Sequence, residues 1–171
     1  MLVNIDIPSW DQLVEKMIDP ADVYNNEENE YGIEIEPHIT IMYGFKSNIN
    51  HEHIMPYLMP SHFIKVEFKD ISMFEADEYD VLKFGCESKA LDSLHKATKH
   101  YFENTWQWPD YNPHATIAYL KKGTAKKYVR KLSKPFTLVP SGYLYSYPSG
   151  EKFEFDGPEL MPGYTDNIVI K

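Results

Sequence analysis

The sequence predicts an α+β fold: a bilobal domain whose two pseudo-equivalent lobes each form an antiparallel sheet with helices outside, around a central cleft. Two observations indicate this fold. Stretches typical of strands and helices recur in a similar order in both halves of the chain, and one seven-residue stretch occurs in each half. No linker separates the halves, and 171 residues suffice for one hydrophobic core, so residues 1–171 are expected to form a single domain. The tail from about residue 158 could be an extension of it.

The first half is expected to open with a strand and a helix. Residues 2–7 alternate apolar and polar side chains, and Ser9 with Gln12 forms a capping-box pattern. An amphipathic helix is therefore predicted over 10–17, ending near Pro20 or restarting there as a short helical turn. The remaining elements predicted for this half are a motif strand over 36–43, a helix over 51–58 and strands over 62–68, 71–76 and 79–86.

The second half is predicted to repeat this order. Its expected elements are a helix over 88–104, a motif strand over 114–120, a basic helix over 124–132, a strand over 135–147 bent near Pro140, and a partner strand over 153–155. Each motif strand is followed by a glycine, Gly44 or Gly123, that stops it. The two motif strands are expected to face each other across the central cleft, a common place for a ligand site.

The composition is typical of a packed protein in a reducing compartment. Hydrophobic residues make up 43% of the chain, and the single cysteine excludes an internal disulfide. The start of the chain lacks the pattern of a signal peptide, and no apolar stretch approaches the roughly 20 residues of a membrane span. We therefore expect a cytoplasmic protein with no membrane partner.

The net charge of −9 argues against long duplex nucleic acid as a partner, because phosphate backbones need a basic surface. A small phosphate ester needs only a local positive site. One basic segment without an acidic residue follows the second motif; its cations are Lys121, Lys122, Lys126, Lys127, Arg130, Lys131 and Lys134. Most of them are expected to form a solvated face, and one or two near the cleft could steer an anion.

The repeated stretch has the pattern Pro-His-x-Thr-Ile-x-Tyr, so five of its seven positions agree. In a strand, residues i and i+2 point to the same face. His38 and Thr40 should therefore project together, as should His114 and Thr116, while the intervening apolar residues point into the core. These four residues are the candidate catalytic site.

The residue types indicate proton-transfer chemistry on a phosphodiester. An imidazole titrates near physiological pH and can both accept and donate a proton. In-line cleavage needs a base for the attacking hydroxyl and an acid for the leaving oxygen, roles that His38 and His114 could fill and then exchange. Thr40 and Thr116 could donate hydrogen bonds to the non-bridging phosphate oxygens. This chemistry needs no metal and no other cofactor.

Two alternatives are open for the motif histidines. Each could be a structural residue, although core packing has no need for a polar His-x-Thr pair twice. The two could also bind zinc, but further ligands are not evident: His51 and His53 are more typical of a helix start, and Glu36 or Asp110 would need favourable geometry. The histidines expected to be surface or core residues are His62, His95 and His100.

Aromatic rings should stack on the ligand if it carries bases. The candidates for substrate binding are Trp10, Tyr43, Phe74 and Tyr119, with Trp106 and Trp108 as further aromatic candidates. Cys86 lies in an apolar strand and is expected to be a buried structural thiol.

Two His-x-Thr motifs on strands, about half a domain apart, resemble the motifs of the two-histidine (2H) phosphoesterase superfamily. His38-Ile39-Thr40 matches the first motif and His114-Ala115-Thr116 the second. The resemblance implies a bilobal α+β fold and metal-independent cleavage of phosphodiesters by the four motif residues. Within the superfamily, the chain is most similar to the phage anti-CBASS nucleases, which degrade the cyclic oligonucleotide messengers of bacterial immunity. This similarity lies in residues 7–20 and 36–44.

The resemblance implies a nuclease that opens cyclic di- or trinucleotides at a 3′–5′ bond in the cytoplasm of a phage host. One alternative is a 2′,3′-cyclic phosphodiesterase that acts on RNA ends. Another is a non-catalytic sponge that sequesters the messenger, although the intact His and Thr residues argue against it. The apolar residues 168–170 could pair as an edge strand in a homo-oligomer.

Overall fold

The chain forms an α+β structure, as predicted, in a computed structural model that describes residues 1–5, 7, 9–25, 31–46, 48–58 and 64–156. Its strands are β1 (Leu2–Asn4), β2 (His38–Thr40), β3 (Val66–Glu75), β4 (Tyr79–Glu87), β5 (His114–Lys121), β6 (Arg130–Leu138), β7 (Gly142–Ser146) and β8 (Lys152–Asp156). Its helices are α1 (Trp10–Met17), α2 (His51–Leu58) and α3 (Lys89–Tyr101), with 3₁₀ turns at Pro20–Asp22 and Ala125–Tyr128. The predicted extension from about residue 158 and the expected edge strand at 168–170 lie outside the described residues.

The eight strands form one antiparallel sheet with the order β6–β3–β4–β5–β2–β1–β7–β8. The motif strands β5 and β2 are neighbours at its centre, where Ile39 pairs with Ala115. The prediction that these strands face each other across a cleft is therefore wrong. The reason is that pairing the two strands satisfies their backbone groups and already brings both motifs together, so no gap between lobes is needed.

Four strands lie on each side of the β5–β2 junction, and the two sides repeat one arrangement. The unit β1–α1–β2 corresponds to β4–α3–β5, in which a strand leads through a helix to an antiparallel motif strand. In these units Asn4 pairs with His38 and Gly85 pairs with His114. The two sides are not successive halves of the chain. Strands β3 to β6 form one side, and the other side combines β1 and β2 with β7 and β8.

The motif prolines belong to this repeated framework. The Pro37 carbonyl accepts a hydrogen bond of 3.1 Å from the backbone N–H of Ile5, and the Pro113 carbonyl accepts one of 3.3 Å from that of Cys86. Each proline therefore ties the start of its motif strand to the neighbouring strand of the same unit.

The core lies on one face of the sheet, where the helices pack. Trp10 of α1 packs against Phe84 of β4 with ring centroids 6.1 Å apart, and Leu94 of α3 joins the same core. Ile39 and Ala115, the central residues of the two motifs, are fully buried in it. Because side chains alternate along a strand, the motif histidines and threonines project from the opposite face of the sheet.

Three predicted elements of the chain's middle part have a different form. The basic helix predicted over 124–132 is wrong, since the segment forms a 3₁₀ turn and then enters β6. Phe136 of β6 stacks on Phe68 of β3 at 4.9 Å, and this core contact overrides the local helical pattern. The strands predicted over 62–68 and 71–76 belong, in their described part, to the single strand β3. A bulge between Phe68 and Asp70 shifts the alternation and makes one strand look like two.

The α1 helix spans the predicted residues, but its predicted capping box is wrong. Ser9 is the N-cap residue with φ 59°, in the left-handed region, and its side chain makes no capping hydrogen bond. The strand predicted over 135–147 is likewise divided into β6 and β7 around Pro140. The helix over 51–58 and the β7–β8 hairpin are confirmed.

Replacing Gly44 by alanine should destabilise the fold more than the same change at Gly123. Both glycines have positive φ, 72° and 85°, so alanine strains the backbone by about 1–2 kcal/mol at either position. A Cβ at Gly44 would also overlap the side chain of Thr105, whose backbone N–H donates to the Gly44 carbonyl at 2.8 Å, whereas Gly123 has open space around it. Chemical denaturation of both variants measures the difference, and equal losses of unfolding free energy would contradict it.

Candidate active site

The register of the central strands gathers the motif side chains into one group. From the central β2–β5 pair, His38 lies opposite Thr116 and Thr40 lies opposite His114. Opposed residues point to the same face with Cβ atoms about 5 Å apart, and diagonal neighbours such as the two histidines lie about 7–8 Å apart. All four side chains are half-buried. These four residues are called the His–Thr group below.

Both imidazoles are held in the same way. The Nδ1–H group of His38 donates to the carbonyl of Glu36 at 2.9 Å, and that of His114 donates to the carbonyl of Asn112 at 2.8 Å. A carbonyl can only accept, so Nδ1 carries the proton in each ring. The Nε2 atom of each histidine is therefore left for a ligand, and in the neutral ring it can accept a proton.

The two histidines have different electrostatic surroundings. Burial lowers the pKa of His114 below the ordinary imidazole value. The hydrogen bond to the Asn112 carbonyl opposes this shift, while the positive charges of Lys83 and His38 add to it. His114 therefore favours its neutral form, which is the form of a general base.

Side chains from α3 and the following loop hold the end of β2. The Nδ1–H group of His95 donates to the carbonyl of Ile41 at 2.7 Å, and the Tyr111 hydroxyl donates to the carbonyl of Thr40 at 3.0 Å. The two rings stack with centroids 4.2 Å apart. His95 is thus a buried core residue, as expected, and it positions the strand that carries half of the His–Thr group.

A cavity of about 600 Å³ opens beside His38. Asn4, which pairs with His38, lines it, as do Tyr31 and Tyr119, whose ring centroids lie 5.0 Å apart. Tyr79 packs against both tyrosines, which makes this wall of the cavity rigid and aromatic. The sequence did not single out Tyr31, because it lies in an acidic stretch without periodicity.

A second cavity, of about 500 Å³, lies along β4 and the loop before β5. It is lined by residues of β3, β4 and the loop before β5, among them Asp70, Lys83 and Asn112. Lys83 pairs with Thr116 across β4–β5. Lys83 therefore connects this cavity with Thr116, while none of the four residues of the His–Thr group lines the cavity itself.

Two of the four aromatic candidates lie at the site. Phe74 meets the His114 ring edge to face, with centroids 5.0 Å apart. Tyr119 lines the cavity beside His38. Either ring is therefore placed where it could contact a ligand bound at the His–Thr group.

The structure does not bring the other two candidates to the His–Thr group. Trp10 lies on the apolar face of α1 in the core, and its indole N–H donates to the Glu34 carbonyl at 2.6 Å. Tyr43 packs against Trp106 with ring centroids 4.6 Å apart. For Trp10 the placement is explained by its position at the start of an amphipathic helix, whose apolar face must be buried.

Lys83 is a site residue that sequence reasoning missed. It is 8% exposed, and its Nζ atom lies 4.3 Å from the centre of the Phe74 ring. The available signal was the alternation of β4, in which Val81, Lys83 and Gly85 share the face opposite the core. A lysine on that face would normally extend to solvent, so the burial of Lys83 is the unusual feature.

The basic segment after the second motif is directed elsewhere. It begins where β5 ends, seven residues or about 23 Å from His114. Lys127 lies 2.6 Å from an oxygen of Asp22, and Lys126 lies 3.2 Å from one of Glu75. The carboxylates offset the positive charges of Lys126 and Lys127. These contacts therefore do not support a role for the two lysines in steering an anion to the His–Thr group.

Further features of the described residues concern metals, thiols and membranes. Within the described ranges, no three His, Cys, Asp or Glu side chains are grouped so that they could hold a metal ion. Cys86 is buried, and burial raises the pKa of its thiol to about 12, as expected for a structural thiol. None of the described helices has the length and apolar character needed to cross a membrane.

Comparison with known protein families identifies a family to which the chain belongs. The model of a family described as "Anti-CBASS protein Acb1" matches residues 34–141, which is more than half of the chain and includes both His-x-Thr motifs. No curated protein matches the chain.

Lowering the pH should destabilise the fold through its buried histidines. Burial lowers the pKa of His95 and of His114 below 6.5, so the unfolded chain takes up protons that the folded chain excludes. Their contribution to stability is full above about pH 6.5 and is lost as the pH falls toward the folded-state pKa values. The slope approaches about 1.4 kcal/mol per pH unit for each proton. Chemical denaturation at a series of pH values measures it.

A variant of His95 isolates its part in this effect. Glutamine at this position keeps a donor for the Ile41 carbonyl but does not titrate, so His95→Gln should lose less stability on acidification than the wild type. The matched control is His100→Gln on the exposed side of the same helix. If His95→Gln and the wild type gave the same pH profile, the buried neutral state of His95 would be refuted.

Proposed function

Because the chain belongs to the family of the anti-CBASS protein Acb1, we propose that it is a metal-independent phosphodiesterase that hydrolyses 3′–5′ bonds of cyclic di- or trinucleotide messengers. Membership of an anti-CBASS family assigns the chain to the evasion of CBASS immunity and implies an interaction with cyclic oligonucleotides. The enzyme acts in the cytoplasm of the phage's host, where the messenger is made. The observation that carries the proposal is the His–Thr group, in which both imidazoles direct Nε2 away from the backbone.

The first step is an in-line attack within the substrate. One histidine removes the proton of a ribose 2′-OH, and the 2′ oxygen forms a bond to the adjacent phosphorus. The bond from phosphorus to the 5′ oxygen breaks, and the second histidine donates a proton to that oxygen. The ring opens to a linear product that ends in a 2′,3′-cyclic phosphate.

A second step can follow with the roles exchanged. The histidine that gave its proton removes one from water, and the water oxygen attacks the cyclic phosphate. The bond to the 2′ oxygen breaks as the other histidine returns its proton, which leaves a 3′-phosphate. His38 and His114 are diagonal neighbours about 7–8 Å apart, a separation at which one phosphate could lie between their side chains.

The threonines would stabilise the negative charge that develops on the non-bridging oxygens of the phosphate. Thr40 and Thr116 lie on the other diagonal of the group, between the two histidines, so their hydroxyls can donate to the two non-bridging oxygens. Attack and departure then occur along one diagonal while charge is stabilised along the other. This arrangement supports a role for all four motif residues.

The surroundings favour a small ligand over long RNA. The chain carries a net charge of −9, and the cavity beside His38 holds about 600 Å³, within the usual range for a small-molecule site. The aromatic rings of Tyr31 and Tyr119 can stack on a base there. The repeated strand–helix–strand units, each with one His-x-Thr motif, support placing the chain in the 2H phosphoesterase superfamily with its bilobal fold.

The proposal predicts cleavage that survives a chelator and requires both histidines. The wild type should open 3′,3′-cyclic GMP–AMP in EDTA, and chromatography with mass spectrometry should detect a linear product with a 2′,3′-cyclic phosphate or 3′-phosphate. His38→Ala and His114→Ala should each reduce turnover by about 10²–10⁴-fold, the usual contribution of a general acid or base. His100→Gln, which removes an exposed histidine, is the control.

Other outcomes would identify a different activity. Tight binding of the intact cyclic dinucleotide would indicate a sponge, and preferential cleavage of an RNA with a 2′,3′-cyclic end would indicate an RNA-end phosphodiesterase. Activity abolished by EDTA would exclude the metal-independent mechanism. Full activity in both alanine variants would show that the His–Thr group is not the catalytic site.

A further inference from the structure

The two units of the fold differ at one position that borders the His–Thr group. In the unit of β1 and β2, the residue opposite the motif threonine is Leu2, which pairs with Thr40. In the unit of β4 and β5, the corresponding residue is Lys83, which pairs with Thr116. The framework therefore accommodates an apolar residue at this position, and the lysine is not required by the sheet itself.

Burial removes most of the water around the Lys83 ammonium, which is unfavourable for a charged group. The residue is 8% exposed, and in the described part of the chain no carboxylate oxygen lies within 4.0 Å of its Nζ atom. Asp70, which pairs with Gly85 in the next row of the sheet, is the carboxylate whose charge favours the charged form of the lysine. Burial outweighs this attraction and lowers the pKa of Lys83. A buried cation without a close anion is a feature that a bound anion would stabilise.

Phe74 fixes where this charge lies. The Lys83 Nζ atom sits 4.3 Å from the centre of the Phe74 ring, and the same ring meets His114 at 5.0 Å. The cation–π contact holds the ammonium next to the imidazole and next to Thr116. The side chain therefore does not extend to solvent, as a lysine on a sheet surface normally does.

We infer that Lys83 binds a non-bridging oxygen of the scissile phosphate beside Thr116 and stabilises the negative charge of the pentacoordinate transition state. This inference rests on the proposed function, since it names a further residue of the same site. The positive charge of the lysine neutralises part of the negative charge on the phosphate. The two threonine hydroxyls are neutral and can only donate hydrogen bonds to it. No proton is transferred from it, so its charge is the same before and after the reaction.

The position of Lys83 also makes the two histidines unequal. The charged groups that face His114 are Lys83 from β4 and His38 from β2, with Asp70 of β3 behind the lysine. Lys83 favours the neutral form of His114, which is the form that can accept a proton. The lysine would then act on the phosphate directly and on the proton transfer through His114.

The test compares Lys83→Met with Lys83→Arg. Methionine fills the space without charge, whereas arginine keeps the charge and can still reach a phosphate oxygen. Lys134→Met, an exposed lysine on the edge strand β6, controls for the loss of one positive charge. For cleavage of 3′,3′-cyclic GMP–AMP, Lys83→Met should lower kcat by about 10²–10³-fold with a smaller change in KM, as for loss of one oxyanion-stabilising group. Lys83→Arg should lose about tenfold or less, and Lys134→Met should match the wild type.

The pH dependence separates this role from a structural one. Lys83→Met should move the acidic limb of the kcat/KM profile to higher pH, because His114 loses a positive neighbour and is protonated more easily. Near-UV circular dichroism and thermal unfolding show whether the variant is folded. A folded Lys83→Met enzyme with wild-type kcat and an unmoved acidic limb would overturn the inference.

If the wild type binds the cyclic dinucleotide without cleaving it, the proposed function is refuted. The role of Lys83 can then still be tested by binding measurements on the same variants. Calorimetry should then give a Kd for Lys83→Met at least about tenfold higher than for the wild type and for Lys134→Met. Equal Kd values would overturn the role of Lys83 as well. A wild type that neither binds nor cleaves the dinucleotide would overturn both proposals.

Discussion

The antiparallel pairing of β2 with β5 is the interaction on which the site depends. It joins two sides of the sheet, four strands each, through one central pair, Ile39 with Ala115. Both residues are fully buried, so the register cannot slip by one position without moving polar side chains into the core and apolar ones out of it. The same register sets the diagonal arrangement of the histidines and threonines. The chemistry of the site is therefore specified by the packing on the opposite face of the sheet.

The sequence was sufficient to identify the His–Thr group but not its spatial arrangement. The repeated His-x-Thr pattern predicted which side chains share a face, because alternation is a local property of a strand. Which strands are neighbours is decided by long-range pairing, so the expected cleft was replaced by direct contact between the motif strands. Lys83 and Tyr31 could not be found from local pattern alone, since each becomes part of the site only when β4 or the segment before β2 is placed beside β5. Trp10 shows the opposite error: it was predicted to bind the ligand, but its side chain is buried in the hydrophobic core.

The lysines of the basic segment and Lys83 have different electrostatic surroundings. The chain is acidic, with a net charge of −9, and lysines of its basic segment are paired with carboxylates such as Asp22 and Glu75. Lys83 instead borders the His–Thr group on the face opposite the core. A local cation in an acidic protein can hold one phosphate without attracting nucleic acid along a wide surface.

The two strands that carry the motif histidines differ in length, so their backbone ladders differ in stability. His114 begins a strand of eight residues, whereas His38 belongs to one of only three residues, whose neighbour β1 also has three. A short ladder opens more easily than a long one, so local unfolding should reach His38 before His114, an order that amide hydrogen exchange would register. A ligand that bridges both rings would close this weak point by mass action. Such a ligand would act as a removable cross-link between a strand with a long ladder and one with a short ladder.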